Sequence, residues 1–285
     1  MDSCTLKAYA KINIGLDVTG RTDNGYHLLK TVMQQVDLYD VITIERAEKG
    51  INFSCDSKDV PSDDTNLAVK AAKLMTETYG IKEGVNISLN KNIPVAAGMA
   101  GGSTDGAAVI IGMNKVFDLD LTMQEMIDTG VKIGADIPFC RQGGCAIAEG
   151  IGEKLRELDN RTDMYTLIAK PPINVSTVHV YKTLKWQEVI HPDMDRVIKG
   201  IMAGSMDDIV VGMGNVLESV TCSEYDIINE LKKAMMDIGA SGSLMSGSGP
   251  TVFGLFKNKE EAMSAEKRLK DLYPDVFVKA TGIIR

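Results

Sequence analysis

Histidine and cysteine are scarce in this chain, and their scarcity removes several chemistries from consideration. A three-histidine metal site would need all of His27, His179 and His191, and no H-E-x-x-H pattern occurs, which argues against metal-dependent hydrolysis and for a site without a protein-bound metal. The five cysteines, Cys4, Cys55, Cys140, Cys145 and Cys222, are odd in number and form no C-x-x-C pair. Neither a disulfide framework nor a zinc site is expected, and they read as reduced thiols in a cytosol. A G-x-S-x-G elbow is missing, as are the H-R-D and D-F-G signatures of protein kinases. No apolar run reaches the roughly 18 residues that a membrane span needs, and Met1 to Lys11 has no apolar core of the kind a signal peptide carries. A cytoplasmic protein with no membrane partner is expected.

Basic charge is also short. The net charge of −8, from 31 basic and 39 acidic residues, argues against a sequence-independent grip on nucleic acid. What is present is an ordinary globular composition, 44% hydrophobic and 25% charged, on a chain of 285 residues that is long enough for two cores. No fixed-period repeat or low-complexity segment interrupts it. The polar segment from Glu153 to Asp163 is the candidate boundary between domains.

Taken in order, Thr5 to Val18 alternates as a strand, with Ile12, Ile14 and Leu16 on one face and Lys11 and Asn13 on the other. Gly20 to Gly25 reads as a turn around an Asn-Gly dipeptide, with Tyr26 and His27 directly after it. Strands are expected at about 31–36, 41–46 and 51–55, then a helix after Asp63-Asp-Thr-Asn66 that ends at Gly80. Val85, Ile87 and Leu89 alternate into Pro94-Val-Ala-Ala-Gly-Met-Ala-Gly-Gly-Ser-Thr104, with a helix beginning around Ser103, Thr104 and Asp105. Thr122-Met-Gln-Glu125 is a capping box for a helix ending near Gly134, Asp136 follows on a constrained turn before Pro138, and 143–149 reads as a strand. The rest alternates: a strand at 165–169, helices within 176–217 and at 225–239, strands near Leu244 and at 251–256, a helix at 259–272 and a strand near Val276. Met245-Ser-Gly-Ser-Gly-Pro-Thr251 forms a second glycine loop. The fold class is α+β.

The loop from Pro94 to Thr104 organises the functional reading. Glycine lets backbone approach a ligand, and the unpaired N–H groups at a helix start suit phosphate. It is neither a Walker loop nor a G-x-G-x-x-G loop, and its glycines would also serve a plain strand-to-helix turn. Lys11, Asp136 and the second glycine loop complete a set suited to phosphoryl transfer, a reaction that asks mainly for positioning, cationic or N–H donors and an orienting carboxylate. Each has a plainer alternative: an outward lysine, a turn cap, a β-turn, and hairpin packing for Tyr26 and His27. From spacing alone these stay open.

Read together, the N-terminal strand with its lysine, the P-x-x-x-G-x-x-G-G-S-[ST] loop and the C-terminal glycine loop resemble the GHMP kinases, the family of galactokinase, homoserine, mevalonate and phosphomevalonate kinases. The resemblance covers nearly the whole chain. Ala8-Tyr-Ala-Lys-Ile-Asn13, Gly25-Tyr-His27, Asp37-Leu-Tyr-Asp40, Gly134-Ala-Asp-Ile-Pro-Phe139 and Ser246-Gly-Ser-Gly-Pro narrow it to a cytidyl substrate. The resemblance implies a two-domain fold, with a ribosomal protein S5 domain 2-like domain over 1–158 and a ferredoxin-like domain over 159–285. It implies transfer of the γ-phosphate of ATP, with Mg²⁺, to the 2-hydroxyl of 4-diphosphocytidyl-2-C-methyl-D-erythritol in the non-mevalonate isoprenoid pathway, by a monomer or homodimer. Asp136 would be the catalytic carboxylate and Lys11 its cationic neighbour. Pro94, Val95, Ala96, Ala97, Gly98, Met99, Ala100, Gly101, Gly102, Ser103 and Thr104 would hold the ATP phosphates, with adenine near Asn66, Leu67 and Lys91. Asn13, Tyr26, His27 and Tyr181 would hold the substrate. One departure stands out: where the family usually has a glycine, this chain has Ala100, which lacks glycine's freedom if φ must be positive there.

Overall fold

Strand and helix alternate through the chain in a computed structural model that describes residues 2–23 and 25–285. Met1 and Asn24 fall outside the described residues, and with Asn24 the centre of the expected Asn-Gly turn. In order, the elements are β1 (Ser3–Arg21), β2 (His27–Ala47), β3 (Ile51–Cys55), α1 (Leu67–Tyr79), β4 (Gly84–Asn90), α2 (Gly101–Val116), α3 (Met123–Val131), α4 (Ile137–Gln142), β5 (Cys145–Gly150) and β6 (Lys154–Glu157). There follow β7 (Tyr165–Lys170), α5 (Thr177–Thr183), a 3-10 turn at Trp186–Glu188, α6 (Met194–Ala203), α7 (Met206–Gly212), α8 (Glu218–Glu224), α9 (Asp226–Asp237), β8 (Gly242–Met245), β9 (Val252–Phe256), α10 (Lys259–Leu272) and β10 (Phe277–Gly282).

The chain forms two compact units that interleave in sequence. One consists of the chain up to Ala10, Leu38–Val95 and Ala100–Gln142, and the other of Lys11–Asp37, Ala96–Met99 and Gly143–Arg285. The interleaving follows from β1 and β2, 19 and 21 residues long, which run on from one unit into the other. The expected division at 158/159 falls within the second unit, between β6 and β7.

In the first unit the C-terminal half of β2 pairs antiparallel with β4, from Val41 opposite Asn90 to Ala47 opposite Gly84, and β3 runs parallel to β4. Ile42, Ile44, Val85, Ile87 and Leu89 give this sheet its apolar face, against which α1 and α2 bury Ala68, Ala72, Met75, Ala108, Ile110 and Met113. Small residues permit close approach: a Cβ on Gly112 would come within 2.5 Å of an Ile44 side-chain carbon. The capping expectations hold for α1, which has Asn66 as N-cap and left-handed Gly80 at its end, and for α3, where the Thr122–Glu125 capping box is complete.

In the second unit the N-terminal half of β2 pairs with β5, and β5 with β6. A separate four-stranded antiparallel sheet has the order β10-β7-β9-β8, with α9 and α10 burying Leu231, Met235, Ala262, Ala265 and Leu269 in its core. Numbered within the sheet, that order is 4-1-3-2, with α9 before strand 2, after the additional α5 to α8, and α10 between strands 3 and 4, the ferredoxin-like arrangement expected for this part of the chain.

Several elements differ from expectation. The strands expected at 31–36 and 41–46 are one continuous strand, and Asp40 in the stretch between them is fully buried among partners. Helix α2 starts at Gly101, so Ser103, Thr104 and Asp105 lie inside it and none is its cap. α4, β6 and α8 were not foreseen; β6 occupies the polar segment read as a boundary. No helix among the described residues is long and apolar enough to cross a membrane.

Candidate active site

In the first unit the chain enters α2 from Ala100, near the end of the glycine loop. Ala100, the N-cap, adopts a left-handed conformation at φ 58° and makes no side-chain capping bond. The first bond of the helix runs from Thr104 N–H to the Ala100 carbonyl at 2.8 Å, which leaves the amides of Gly101, Gly102 and Ser103 without intrahelical partners. Gly102 is exposed there and Thr104 buried. Together with the dipole of a 16-residue helix this is an anion-binding end.

Leu67 flanks it, 3.7 Å from where a Cβ on Gly102 would sit. Asn66 is spent on structure: its Oδ1 accepts Ala68 N–H at 2.8 Å and its Nδ2 donates to the Pro61 carbonyl at 2.7 Å. The Lys91 ammonium is likewise engaged, donating to Asp40 and to Asp105. Burial opposes its charge, but the two carboxylates outweigh that and its pKa is raised. Asp136 sits half-buried on the turn before α4, and its carbonyl accepts Cys140 N–H at 3.0 Å. The turn is anchored by Ile137 and Phe139, both fully buried; a Cβ on Gly130 would strike Ile137 at 2.4 Å.

The second unit brings the two glycine loops together. Gly98 has φ 68°, and its carbonyl accepts from Ser246 Oγ at 3.0 Å and from Lys11 Nζ at 3.3 Å. Lys11 is only 4% exposed, so it is no outward strand lysine. Its ammonium also donates to Asn13 Oδ1 at 2.6 Å, Asn13 Nδ2 donates to Thr31 Oγ1 at 2.9 Å, and Thr31 donates to the Gly15 carbonyl at 2.7 Å. This chain of bonds orients lysine and amide from within the strands that carry them. The second glycine loop is held by two residues that gave no signal in the sequence: Asn215 donates to the carbonyls of Met245 and Gly247, both at 2.8 Å, and Thr221 donates to that of Ser248.

His27 and Tyr181 pair with ring centroids 5.2 Å apart, tilted by 40°, while Tyr26 stands 60% exposed. Arg21, also unforeseen, donates from Nε to His27 Nε2 at 3.0 Å. Nε2 therefore acts as the acceptor, leaving the ring proton on Nδ1. Partial burial, and then the Arg21 charge, lower the His27 pKa and favour this neutral ring.

Comparison with known proteins first defines the class. Residues 66–144 match the family model of the GHMP kinases N terminal domain and 189–275 that of the GHMP kinases C terminal domain. A curated protein of Clostridium botulinum (strain Eklund 17B / Type B), named 4-diphosphocytidyl-2-C-methyl-D-erythritol kinase, is 49% identical over 277 residues, 97% of this chain and 99% of its own. This chain belongs to the 4-diphosphocytidyl-2-C-methyl-D-erythritol kinase family, with the two-domain α+β fold of the GHMP kinases. A crystal structure of 4-(cytidine 5'-diphospho)-2C-methyl-D-erythritol kinase agrees, with a TM-score of 0.83, 29% identity, and coverage of 98% of this chain and 99% of the other. A homoserine kinase from Cytophaga hutchinsonii superposes with a TM-score of 0.82 at 20% identity, covering 99% of this chain and 95% of its own; that likeness shows the fold alone.

Proposed function

We propose that this chain transfers the γ-phosphate of ATP to the 2-hydroxyl of 4-diphosphocytidyl-2-C-methyl-D-erythritol, a step of the non-mevalonate isoprenoid pathway, in the cytoplasm. The observation that carries this reading is the near-full-length identity of 49% to a relative of that name. Two local features support it. The uncapped start of α2 has amides for nucleotide phosphate, and the His27–Tyr181 pair has flat faces and a ring N–H for a cytosine.

In this reading Gly101, Gly102 and Ser103 donate amides to the phosphates, Leu67 meets the adenine, and Asn66 and Lys91 shape that wall without lending their engaged polar ends. When bound, ATP with Mg²⁺ supplies the phosphoryl group and neutralises its oxygens. Among the described residues no three His, Cys, Asp or Glu side chains are grouped to hold a metal.

Asp136 orients the substrate hydroxyl and accepts its proton. A carboxylate is far too weak a base to hold an alkoxide, so the proton moves late, as the new P–O bond forms. Lys11, desolvated, offsets charge gathering on the transferred group, with Asn13 setting its direction.

The test is ADP release with Mg²⁺ and ATP over 4-diphosphocytidyl-2-C-methyl-D-erythritol, homoserine, mevalonate and galactose. Turnover is expected with the cytidyl substrate alone, and Asp136→Ala should lower it by about 10² to 10⁴, the usual contribution of a general base. Turnover of another alcohol would discard the substrate; a variant with near-normal kcat would discard the role of Asp136.

A further inference from the structure

Against the first turn of α2 lies a group of buried charges whose ionisation none of these steps uses. Lys91, just beyond β4, donates to Asp40 Oδ2 and, at 2.8 Å, to Asp105 Oδ2; the three side chains are 6%, 0% and 4% exposed. The Lys91 ammonium lies 3.1 Å from where a Cβ on Gly101 would stand. The cluster thus ties the segment entering the glycine loop to the helix leaving it.

Two carboxylates and one ammonium leave a negative charge over, in a place where charge is costly. Asp40 is the better home for it. Besides Lys91, Asp40 accepts the backbone N–H groups of Asn92 at 2.6 Å and Ile93 at 2.8 Å. Among the described residues Asp105 accepts from Lys91, its carboxyl meets that of Asp40, and its buried Oδ1 has no partner. Burial drives the Asp105 carboxyl up, Lys91 pulls it back and Asp40 pushes it up again, to about 7. Behind Lys91 stand Asp56, which accepts its backbone N–H at 2.9 Å, and the Cys55 thiol, itself raised by burial. α1 and α4 meet this part of α2 through Leu67 and Ile137, which carry no charge.

We propose that Asp105 is a positioning residue for the nucleotide loop, and that its carboxyl, held between Lys91 and Asp40, takes up a proton when phosphate occupies the first turn of α2. A second anion arriving on the amides of Gly101, Gly102 and Ser103 disfavours an ionised carboxyl in the next residues of the same helix. By linkage, whatever loads the proton favours the ligand equally, so nucleotide affinity falls as pH rises through neutrality. The inference rests on the nucleotide reading of this loop.

The experiment is calorimetric titration of ADP into wild type and Asp105→Asn between pH 6.5 and 8.5, in buffers of different ionisation heat, which counts protons taken up on binding. The titration of ADP itself is common to both proteins and cancels in the difference. Wild type should take up more protons than Asp105→Asn, and its affinity should weaken about sixfold more over the range if loading shifts the carboxyl by about one unit. Equal proton counts would overturn the proposal, and absence of ADP binding to wild type would instead remove the nucleotide reading beneath it. Should Asp105→Asn not fold, the amide resonances of Gly101 and Gly102 in wild type decide. They should titrate near neutral pH and move their midpoint upward with ADP; flat curves would refute the idea.

Discussion

Gly98 and Ala100 share a left-handed backbone, at φ 68° and φ 58°, and opposite substitutions there should have opposite effects. An alanine at 98 takes on the left-handed penalty of about 1–2 kcal/mol. Its Cβ would also stand 2.3 Å from the Ser246 carbonyl oxygen and 3.0 Å from that of Gly249. Backbone atoms cannot rotate aside as a side chain can, so the two glycine loops must part. The Ser246 Oγ bond to the Gly98 carbonyl is then lost, worth about 1 kcal/mol. Restricting the unfolded chain returns about 0.4–1 kcal/mol. These terms leave a loss of about 1–3 kcal/mol, or a fall in Tm of roughly 2–6 °C for a chain of this size. Because the same carbonyl accepts from Lys11, kcat should fall as well. Ala100→Gly removes the strain and returns the flexibility, for a net change between zero and about 1 kcal/mol of added stability. Urea and thermal unfolding of both variants, with ADP release on the folded protein, measure this. Gly98→Ala as stable as wild type, or Ala100→Gly less stable by more than about 1 kcal/mol, would refute the reasoning.

Three further outcomes follow from the same geometry. The folded state holds the Asp105 proton up to about pH 7, whereas an unfolded aspartate gives it up near 3.8, so this contribution to stability is full below 3.8 and is lost as pH rises toward 7. Asp105→Asn should therefore show a shallower decline in urea midpoint than wild type from pH 4.5 to 7.5, and parallel curves would contradict this. Tyr181→Ala, which removes the ring against His27, should raise KM for the cytidyl substrate and leave KM for ATP unchanged; an equal rise in both would remove the base-stacking role. The Cys145 and Cys222 thiols, pushed up to about 12 chiefly by burial, should resist alkylation of the folded protein at pH 8 and react once it unfolds, and rapid labelling of either in the folded state would refute that.

Much of the fold was legible because its signals are local. Asn66, Thr122, Glu125 and Gly80 act on residues within one turn of themselves, so α1 and α3 could be bounded from the sequence. The alternation of Val85, Ile87 and Leu89 marked β4 for the same reason. The candidate site was legible only in part. The loop from Pro94 to Thr104 announced itself by its glycines, but Asn215, Thr221 and Arg21 carry no motif, since their partners are chosen by folding and not by spacing.

The sequence by itself determined where the locally capped helices α1 and α3 begin, which faces of strands are apolar, and that a glycine loop feeds a helix. Only the tertiary structure decided what its charged residues do. Asp40 stood in the sequence only between two expected strands, and burial beside Lys91, 51 positions away, makes it the anchor of that ammonium. Lys11 looked like a surface lysine until the Gly98 carbonyl and Asn13 enclosed it. The physical reason is the same in both cases. Propensity and capping are energies of neighbours along the chain, while the state of a charge is set by the solvent it has lost and the partners that folding brings to it.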